Sequence, residues 1–272
     1  MRGRVLVIAG SDSGGGAGIQ ADIKTVTALG AYAATALTAL TAQDTLGVHE
    51  VLPVPAAFLR RQIACVLDDI GADAIKIGML GGEETILTVT DMLARHASSI
   101  PVVLDPVMVA KGGARLMDPG AVEALRRLLP HAALLTPNVP EAEALCGLPV
   151  RDEPGMIAAA VALLAQGVPA VLLKGGHMDG PVVADLLATG AGQTWFRSPR
   201  IATRHTHGTG CTLASAVAAG LAQGMPLVDA VARAGRYVQA AIMAAPGYGR
   251  GHGPLDHGVT VDAAWRPPLL EG

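Results

Sequence analysis

The chain has 272 residues, 51% of them hydrophobic and 16% charged, so it is long enough to bury a sizeable core. Its net charge is −3 without a basic cluster, which argues against nucleic-acid binding, and no apolar run reaches the length of a membrane span. The three cysteines lack metal-ligand spacing, and the N-terminus enters a predicted strand directly, without the layout of a signal peptide; both features favour a reducing, cytoplasmic location.

Apolar runs alternate with helical patterns along the chain. Strands are predicted over residues 4–10, 33–42, 74–77, 102–104, 133–135 and 170–173, with a hairpin formed by 182–187 and 194–196. Helices are predicted over residues 19–29, 55–70, 83–95, 121–129, 156–166, 213–222 and 227–244. This alternation predicts an α/β fold with a mostly parallel sheet and helices on both faces. Since no linker or internal repeat divides the chain, residues 1–272 are interpreted as a single domain.

Polar residues and glycines follow the carboxyl ends of the predicted strands. Such ends share one edge of a parallel sheet, where ligands bind. In chain order these positions are residues 10–18, Gln43, residues 78–79, Asp105, residues 136–138 and residues 174–176. Six candidate positions on one rim favour a binding site over six unrelated turns.

The glycine-rich segment at residues 11–18 opens a helix, as nucleotide-binding loops do. The dinucleotide fingerprint fails because Ile19 stands where a third glycine or alanine is needed, and the chain has no Gly-Lys-Ser/Thr of a Walker A loop. The segment is therefore either a substrate-side loop or a plain turn. Asp22 is a substrate contact or an acid favoured by the helix dipole. Gln43 pairs with a heterocycle, since an amide both donates and accepts, or is an ordinary surface residue.

Oxygen and nitrogen groups suited to phosphate and Mg²⁺ follow the later strands. Asp105 is a candidate Mg²⁺ ligand or a strand-ending turn acid, and Asn138 with Glu141 is a candidate ligand pair, a helix-capping box, or both. Lys174 is predicted to neutralise phosphate charge, because an unpaired lysine at the end of a buried strand is unusual. The glycine-rich residues 107–115 form a lid over phosphates or an exposed loop.

The junction at residues 204–212 (Arg-His-Thr-His-Gly-Thr-Gly-Cys-Thr) lies directly before a helical stretch. Small residues let the backbone approach a ligand, and a helix start carries unpaired N–H groups and partial positive charge. The junction is predicted to bind a phosphate group. Cys211 is placed to accept a proton, and we expect the helix N-terminus to lower the pKa of its thiol. The structural alternative is a capping turn with a buried thiol.

Seven motifs carry a family resemblance. In order they are Gly-Ala-Gly-Ile-Gln-Ala-Asp (16–22), Leu-Thr-Ala-Gln (40–43), Ile-Lys-Ile-Gly-Met-Leu (75–80), Leu-Asp-Pro-Val-Met (104–108), Thr-Pro-Asn-Val-Pro-Glu-Ala (136–142), Leu-Lys-Gly-Gly-His (173–177) and Thr-His-Gly-Thr-Gly-Cys-Thr (206–212). The chain resembles the bifunctional hydroxymethylpyrimidine/phosphomethylpyrimidine kinases of thiamine synthesis, in the ribokinase-like superfamily. The resemblance implies a three-layer α/β/α fold, Mg²⁺, a homodimer, and ATP-dependent phosphorylation of 4-amino-5-hydroxymethyl-2-methylpyrimidine to its phosphate and then its diphosphate.

The resemblance also implies roles for individual residues. The pyrimidine is held by Gln43 in a pocket lined by Ala17, Asp22, Thr41 and Met79. Asn138 and Glu141 match the motif that organises Mg²⁺ and phosphate, and Lys174 matches a lysine that faces phosphate. We add Asp105 as a third candidate metal ligand and Thr209 as a candidate nucleotide contact. Catalysis is assigned to the anion hole of Gly208, Gly210 and the Cys211 amide, to Lys174, and to the Cys211 side chain as proton acceptor. Ser13-Gly14 replaces the usual Pro-Ser, and Ala110 stands where pyridoxal-kinase-like relatives have a second cysteine, which favours the pyrimidine.

Three rival functions have different consequences for these residues. A pyridoxal or pyridoxine kinase would use the same scaffold with a different ring. A non-catalytic nucleotide or vitamin sensor would not need Lys174, Asn138, Glu141 and Cys211 together. A nicotinamide dehydrogenase is weakened by the failed fingerprint.

Overall fold

A computed structural model of the chain describes residues 2–109, 113, 116–118 and 120–261. Nine strands form one sheet in the order β3-β2-β1-β4-β5-β6-β7-β8-β9. They are β1 Arg4–Asp12, β2 Tyr32–Gln43, β3 Val48–Pro53, β4 Ala74–Ile77, β5 Val102–Leu104, β6 Leu134–Leu135, β7 Ala170–Leu173, β8 Val182–Thr189 and β9 Gly192–Pro199. The helices are α1 Gly18–Ala28, α2 Ala56–Cys65, α3 Glu83–His96, α4 Ala121–Leu128, α5 Val139–Cys146, α6 Glu153–Leu164, α7 Thr209–Ala222 and α8 Leu227–Met243.

The six central strands are parallel to one another, and in sheet order they are β2, β1, β4, β5, β6 and β7. β3 lies antiparallel to β2 at one edge, and the β8–β9 hairpin closes the other edge. β1 has β2 on one side and β4 on the other, so the chain changes its direction of travel across the sheet at this point. A crevice beyond the carboxyl ends of such neighbouring strands is where ligands bind in open α/β sheets.

Alternate residues of β1 enter two different hydrophobic cores. Leu6 and Ile8 pack into the cluster under α2 to α6, whereas Val5 and Val7 pack into the cluster under α1, α7 and α8. Successive side chains of a strand point to opposite faces, so both faces of the sheet are buried by helices. The predicted three-layer α/β/α architecture with a mostly parallel sheet is confirmed.

Three elements differ from the sequence prediction, and the first is α5, of which only the capped start at Asn138 is considered from the sequence. Strand β3 is not predicted, because its residues are almost all exposed and lack the alternation of a half-buried strand. The helix predicted over residues 55–70 divides into α2 and a π-helical turn at Val66–Ile70, which ends at Gly71 with φ +73°. The residues proposed as a lid, 107–115, lie largely outside the described part of the chain, and Ala110, Lys111 and Arg115 are among those outside it. Within the described ranges no helix has the length and hydropathy to cross a bilayer.

Candidate active site

The glycine-rich loop after β1 is organised by the carboxylate of Asp12. Its Oδ1 accepts the N–H of Gly14 at 2.8 Å, and its Oδ2 accepts those of Gly16 at 3.0 Å and Ala17 at 2.8 Å. Burial alone would raise the pKa of Asp12, but hydrogen bonds from His207 and these backbone groups lower it below its usual value. Asp12 is therefore an anionic anchor that orders the entrance to α1.

Gln43, the last residue of β2, is fastened to this loop. The Ser13 hydroxyl donates to the Gln43 carbonyl and accepts from the Gln43 N–H, both at 2.8 Å. The side-chain amide places Nε2 3.3 Å from His207 Nε2 and Oε1 3.1 Å from Thr41 Oγ1. His207 Nε2 lies 2.9 Å from Asp12 Oδ2. The structure thus brings Gln43 and Thr41 together with the loop that carries Ala17.

The turn before α7 packs tightly on the same loop. Gly208 is the N-cap of α7 with φ +82°, and a Cβ added there would lie 1.8 Å from the carbonyl oxygen of Gly16. Only glycine fits this conformation and contact. No side chain caps α7 in the described structure, and the Thr209 N–H donates to the Thr206 carbonyl at 3.4 Å, so the N–H groups of Gly210 and Cys211 remain available to an anion.

The other side of this turn faces a buried charge pair. Lys174 Nζ donates to Asp105 Oδ1 at 2.8 Å, and the Thr136 hydroxyl donates to the same oxygen at 3.1 Å. A Cβ added to Gly210 would lie 3.2 Å from Lys174 Nζ. Burial alone lowers the pKa of Lys174, but Asp105 and Glu141 raise it above the usual value, so the ammonium is charged.

Asn138 and Glu141 form a capping box at the start of α5. The Asn138 N–H donates to Glu141 Oε2 at 2.8 Å, and the Glu141 N–H donates to Asn138 Oδ1 at 2.9 Å. The structural role considered from the sequence is confirmed, and one lone pair of Asn138 Oδ1 is used by it. Burial raises the pKa of Glu141 to about 7, against the opposing effect of Lys174. No group of three or more His, Cys, Asp or Glu side chains arranged for a metal occurs in the described ranges.

Cys211 lies in the first turn of α7, where the Gly18 N–H donates to its sulfur. Burial raises the pKa of the thiol to about 11, although the positive charge of Lys76 acts in the opposite direction. The expectation of a lowered pKa is therefore wrong, because desolvation of the sulfur outweighs the helix N-terminus. The resting group is a thiol at neutral pH.

Asp22 does not line an open surface, contrary to the expectation from the family resemblance. Its carboxylate is fully buried, and it accepts from Lys76 Nζ at 2.9 Å and from the Ser215 hydroxyl at 2.6 Å. Met79 is 9% exposed beside Gly10, and the Thr209 hydroxyl donates to the Thr206 carbonyl at 2.7 Å.

Four site residues have no role in the sequence interpretation: Asp12, His207, Lys76 and Ser215. Each had a signal. Asp12 is followed by glycines two and four positions later, as in loops whose N–H groups close on a carboxylate. Lys76 interrupts an apolar strand, where a lysine needs a buried partner. His207 belongs to the Thr-His-Gly-Thr-Gly-Cys-Thr motif, but a motif alone does not give its partners.

A family model for phosphomethylpyrimidine kinase matches residues 12–256. The chain belongs to the phosphomethylpyrimidine kinase family. Its relatives include the hydroxymethylpyrimidine/phosphomethylpyrimidine kinase of Streptomyces coelicolor, which is 50% identical over 255 residues that cover 93% of this chain and 94% of that protein. The thiamine biosynthesis bifunctional protein ThiED of Geobacter sulfurreducens is 55% identical over 257 residues. That match covers 94% of this chain and 52% of ThiED, so the chain spans about half the length of that relative.

Among solved structures, this member of the phosphomethylpyrimidine kinase family is similar to the ADP complex of Bacillus subtilis pyridoxal kinase. The TM-score is 0.89 at 37% identity, with 95% of this chain and 98% of that chain covered. This similarity confirms the ribokinase-like fold. It also shows that one backbone arrangement occurs in kinases named for a pyrimidine and for pyridoxal.

Proposed function

We propose that this chain transfers the γ-phosphoryl group of ATP to the hydroxymethyl oxygen of 4-amino-5-hydroxymethyl-2-methylpyrimidine, and then a second phosphoryl group to the resulting phosphate, in thiamine biosynthesis. One observation carries the proposal. The turn at residues 206–211 contacts the Gln43 amide through His207, and the Lys174–Asp105 pair lies beside its Gly210. A ring held at Gln43 and a phosphate held at α7 would therefore share one rigid turn, which favours in-line transfer by positioning.

On the phosphate side, the chain's own groups offset negative charge. The proposed anion hole consists of Gly208, Gly210 and the Cys211 amide at the uncapped start of α7. Lys174 supplies a full positive charge beside it, and Asn138 and Thr209 are assigned to the nucleotide side. Fixed donors of this kind stabilise a transition state in which charge spreads over the transferred group. The oxygen of the acceptor forms the new P–O bond as the bond to ADP breaks.

Mg²⁺ is proposed as the metal cofactor, and the donor set fits it. Asp105 and Glu141 supply carboxylate oxygens, and Asn138 Oδ1 keeps one lone pair after capping α5. Mg²⁺ prefers a few such oxygens together with water and phosphate oxygens, so a complete protein cage is not required. When bound, the ion would neutralise charge on the nucleotide phosphates. The Lys174 ammonium would then interact with the nucleotide as well as with the Asp105 carboxylate.

Cys211 is proposed as the acceptor of the hydroxyl proton in the first phosphorylation. With a pKa of about 11, only a small thiolate fraction exists at neutral pH, so the contribution of this group grows as the pH rises. A loose phosphoryl-transfer transition state needs less help from a base than other proton transfers, which places the expected contribution at the lower end of ~10²–10⁴-fold. The second acceptor is already a phosphate anion, so that step needs no proton acceptor.

The test is a panel of acceptors with ATP and Mg²⁺. The pyrimidine alcohol, its monophosphate and pyridoxal are supplied separately, and ADP and each phosphorylated product are followed. We expect mono- and diphosphate formation with the pyrimidine series and much slower turnover of pyridoxal. Faster turnover of pyridoxal would favour the second candidate, a pyridoxal kinase, which the likeness to the Bacillus subtilis enzyme supports. ADP release that no acceptor stimulates would contradict both.

A homodimer and a cytoplasmic location are proposed as well. Leu40 and Leu52 are cross-strand partners on β2 and β3, and they are 43% and 61% exposed, which leaves an apolar patch at the edge of the sheet. Exposed apolar patches of this kind mark interaction surfaces. Sedimentation velocity of the wild type and of Leu52→Lys tests the dimer.

The three cysteines are free thiols, in keeping with a reducing compartment and the proposed cytoplasmic location.

A further inference from the structure

The hydrogen-bond donors around Gln43 restrict how its amide is oriented. His207 Nε2 lies 2.9 Å from Asp12 Oδ2, and the Asp12 carboxylate already accepts three backbone N–H groups. An ionised carboxylate only accepts hydrogen bonds, so His207 Nε2 carries a hydrogen and donates it. That nitrogen therefore has no lone pair to accept from the Gln43 NH₂ group, which lies 3.3 Å away.

The Thr41 hydroxyl imposes a second restriction. Thr41 Oγ1 lies 2.8 Å from the Ser11 carbonyl oxygen and 3.1 Å from Gln43 Oε1. A carbonyl only accepts, and a hydroxyl has a single hydrogen, so the shorter contact takes that hydrogen. Thr41 is then left as an acceptor toward Gln43, and an acceptor requires the amide nitrogen opposite it.

A half turn of the amide about the bond between Cγ and Cδ exchanges its nitrogen and oxygen. The amide nitrogen then donates to Thr41, and the oxygen faces the N–H of His207, whose single hydrogen goes mainly to Asp12 at 2.9 Å and only weakly to Gln43 at 3.3 Å. We infer that His207 and Thr41 are positioning residues that fix the Gln43 amide with its oxygen toward His207 and its nitrogen toward Thr41. Asp12 keeps His207 as a hydrogen-bond donor, and the Ser11 carbonyl keeps Thr41 as an acceptor toward Gln43. After these bonds, one N–H and one oxygen lone pair of Gln43 remain for a ligand.

This orientation determines which ring the site accepts, an inference that rests on the proposed pyrimidine kinase function. A 4-aminopyrimidine presents a donor, its amino group, beside an acceptor, its ring nitrogen. A 4-oxopyrimidine presents an acceptor beside an N–H donor. An amide free to rotate pairs with either ring, whereas a fixed amide pairs with one of them. A polar site that holds fixed donors and acceptors rejects a mismatched analogue strongly, because its own groups are left unpaired.

The experiment compares kcat/KM for 4-amino-5-hydroxymethyl-2-methylpyrimidine and its 4-oxo analogue with ATP. For the wild type we expect about 100-fold or greater preference for the amino ring. Thr41→Val keeps the shape of the side chain but removes the acceptor, and His207→Phe keeps a ring but removes the donor. In both variants the preference should fall to about 10-fold or less, mainly through KM. Thr41→Ser restores the hydroxyl and should restore the preference.

Thr90→Val is the matched control, because Thr90 likewise donates its hydroxyl to a backbone carbonyl, that of Ile86 at 2.8 Å, but lies on α3. Its preference should equal that of the wild type. Full preference retained in folded Thr41→Val and His207→Phe would overturn the inference while leaving the kinase function intact. A wild type that does not phosphorylate the amino ring would overturn the function and the inference together. If the variants do not fold, neutron diffraction of the wild type decides, and a Gln43 nitrogen facing His207 refutes the inference.

Discussion

The ammonium of Lys76 lies 2.9 Å from the carboxylate of Asp22, and neither side chain has any exposed surface. Asp22 lies one turn after Gly18 on α1, and Ser215, which also binds Asp22, lies one turn after Cys211 on α7. The ion pair therefore sits directly beneath the contact between the two helix starts that form the candidate site. Burial alone would lower the pKa of Lys76, but the Asp22 carboxylate raises it, so the lysine is charged.

Removal of either member of this pair should destabilise the protein strongly. Lys76→Met or Asp22→Asn leaves one buried group without its partner, and we expect a loss of about 3–5 kcal/mol in the free energy of unfolding. The double variant should lose less than the sum, since no unpaired charge remains. Urea titration followed by circular dichroism measures all three. Arg4→Gln, which breaks the exposed Arg4–Asp73 pair, is the control and should have a much smaller effect. Equal effects at the two pairs would refute this account.

The conformation of Gly208 should make it irreplaceable. Gly208→Ala places a Cβ at positive φ and within 1.8 Å of the Gly16 carbonyl oxygen, so the turn and the glycine-rich loop must separate. Gly224 has nearly the same φ, +81°, but open space around it. Gly224→Ala should therefore cost only about 1 kcal/mol for its backbone conformation, whereas Gly208→Ala should cost more and also abolish phosphorylation of both acceptors. Thermal unfolding and the acceptor assay test the pair, and similar behaviour of the two variants would contradict the packing argument.

The fold was accessible from the sequence because its signals are local. Short apolar runs predict β4, β5 and β7 with their observed bounds, since these strands are buried on both faces and flanked by turn residues. The candidate site was accessible only as a set of positions at strand ends. The partners within it depend on side chains far apart in the chain, such as His207 and Asp12, and no local pattern encodes their contact. The assignment of 1–272 to one domain stays a prediction, supported by the single sheet.

The raised pKa of Cys211 is another property that local sequence patterns do not predict. A helix N-terminus is visible in a sequence and argues for a lower thiol pKa. The desolvation of the sulfur is a property of the packed structure, and it raises the pKa of the thiol despite the opposing effects of Lys76 and the Gly18 backbone. Asp22 was misplaced for a related reason, because its position one turn into α1 does not reveal a buried lysine on β4.

Acid should destabilise the protein through His257. This side chain is 5% exposed and lies 2.9 Å from the Thr212 hydroxyl, and burial, with a smaller effect of Lys24, lowers its pKa from 6.5 to about 4. The neutral form is favoured in the folded state, so its stabilising contribution is complete above pH 6.5 and is lost as the pH falls toward 4. We expect a loss of up to about 3 kcal/mol over this range. His257→Gln should flatten this dependence in urea titrations, whereas His252→Gln, on an exposed residue, should retain it.

Cys211 should matter more for the first phosphorylation than for the second. Cys211→Ala removes the proposed proton acceptor, so the rate with the pyrimidine alcohol should fall by about 10²-fold or more at high pH, while the rate with the monophosphate should change little. If the thiolate is the acceptor, the wild-type first-step rate should rise with pH toward about 11, the pKa of this thiol, without a plateau near pH 9. Cys65→Ala, at an exposed cysteine, is the control and should alter neither profile. Single-turnover assays with each acceptor separate the two steps. Equal losses in both steps, or a first-step rate that is independent of pH between 7 and 10 (a range set by the thiol pKa), would show that Cys211 serves packing of the α7 start instead of proton transfer.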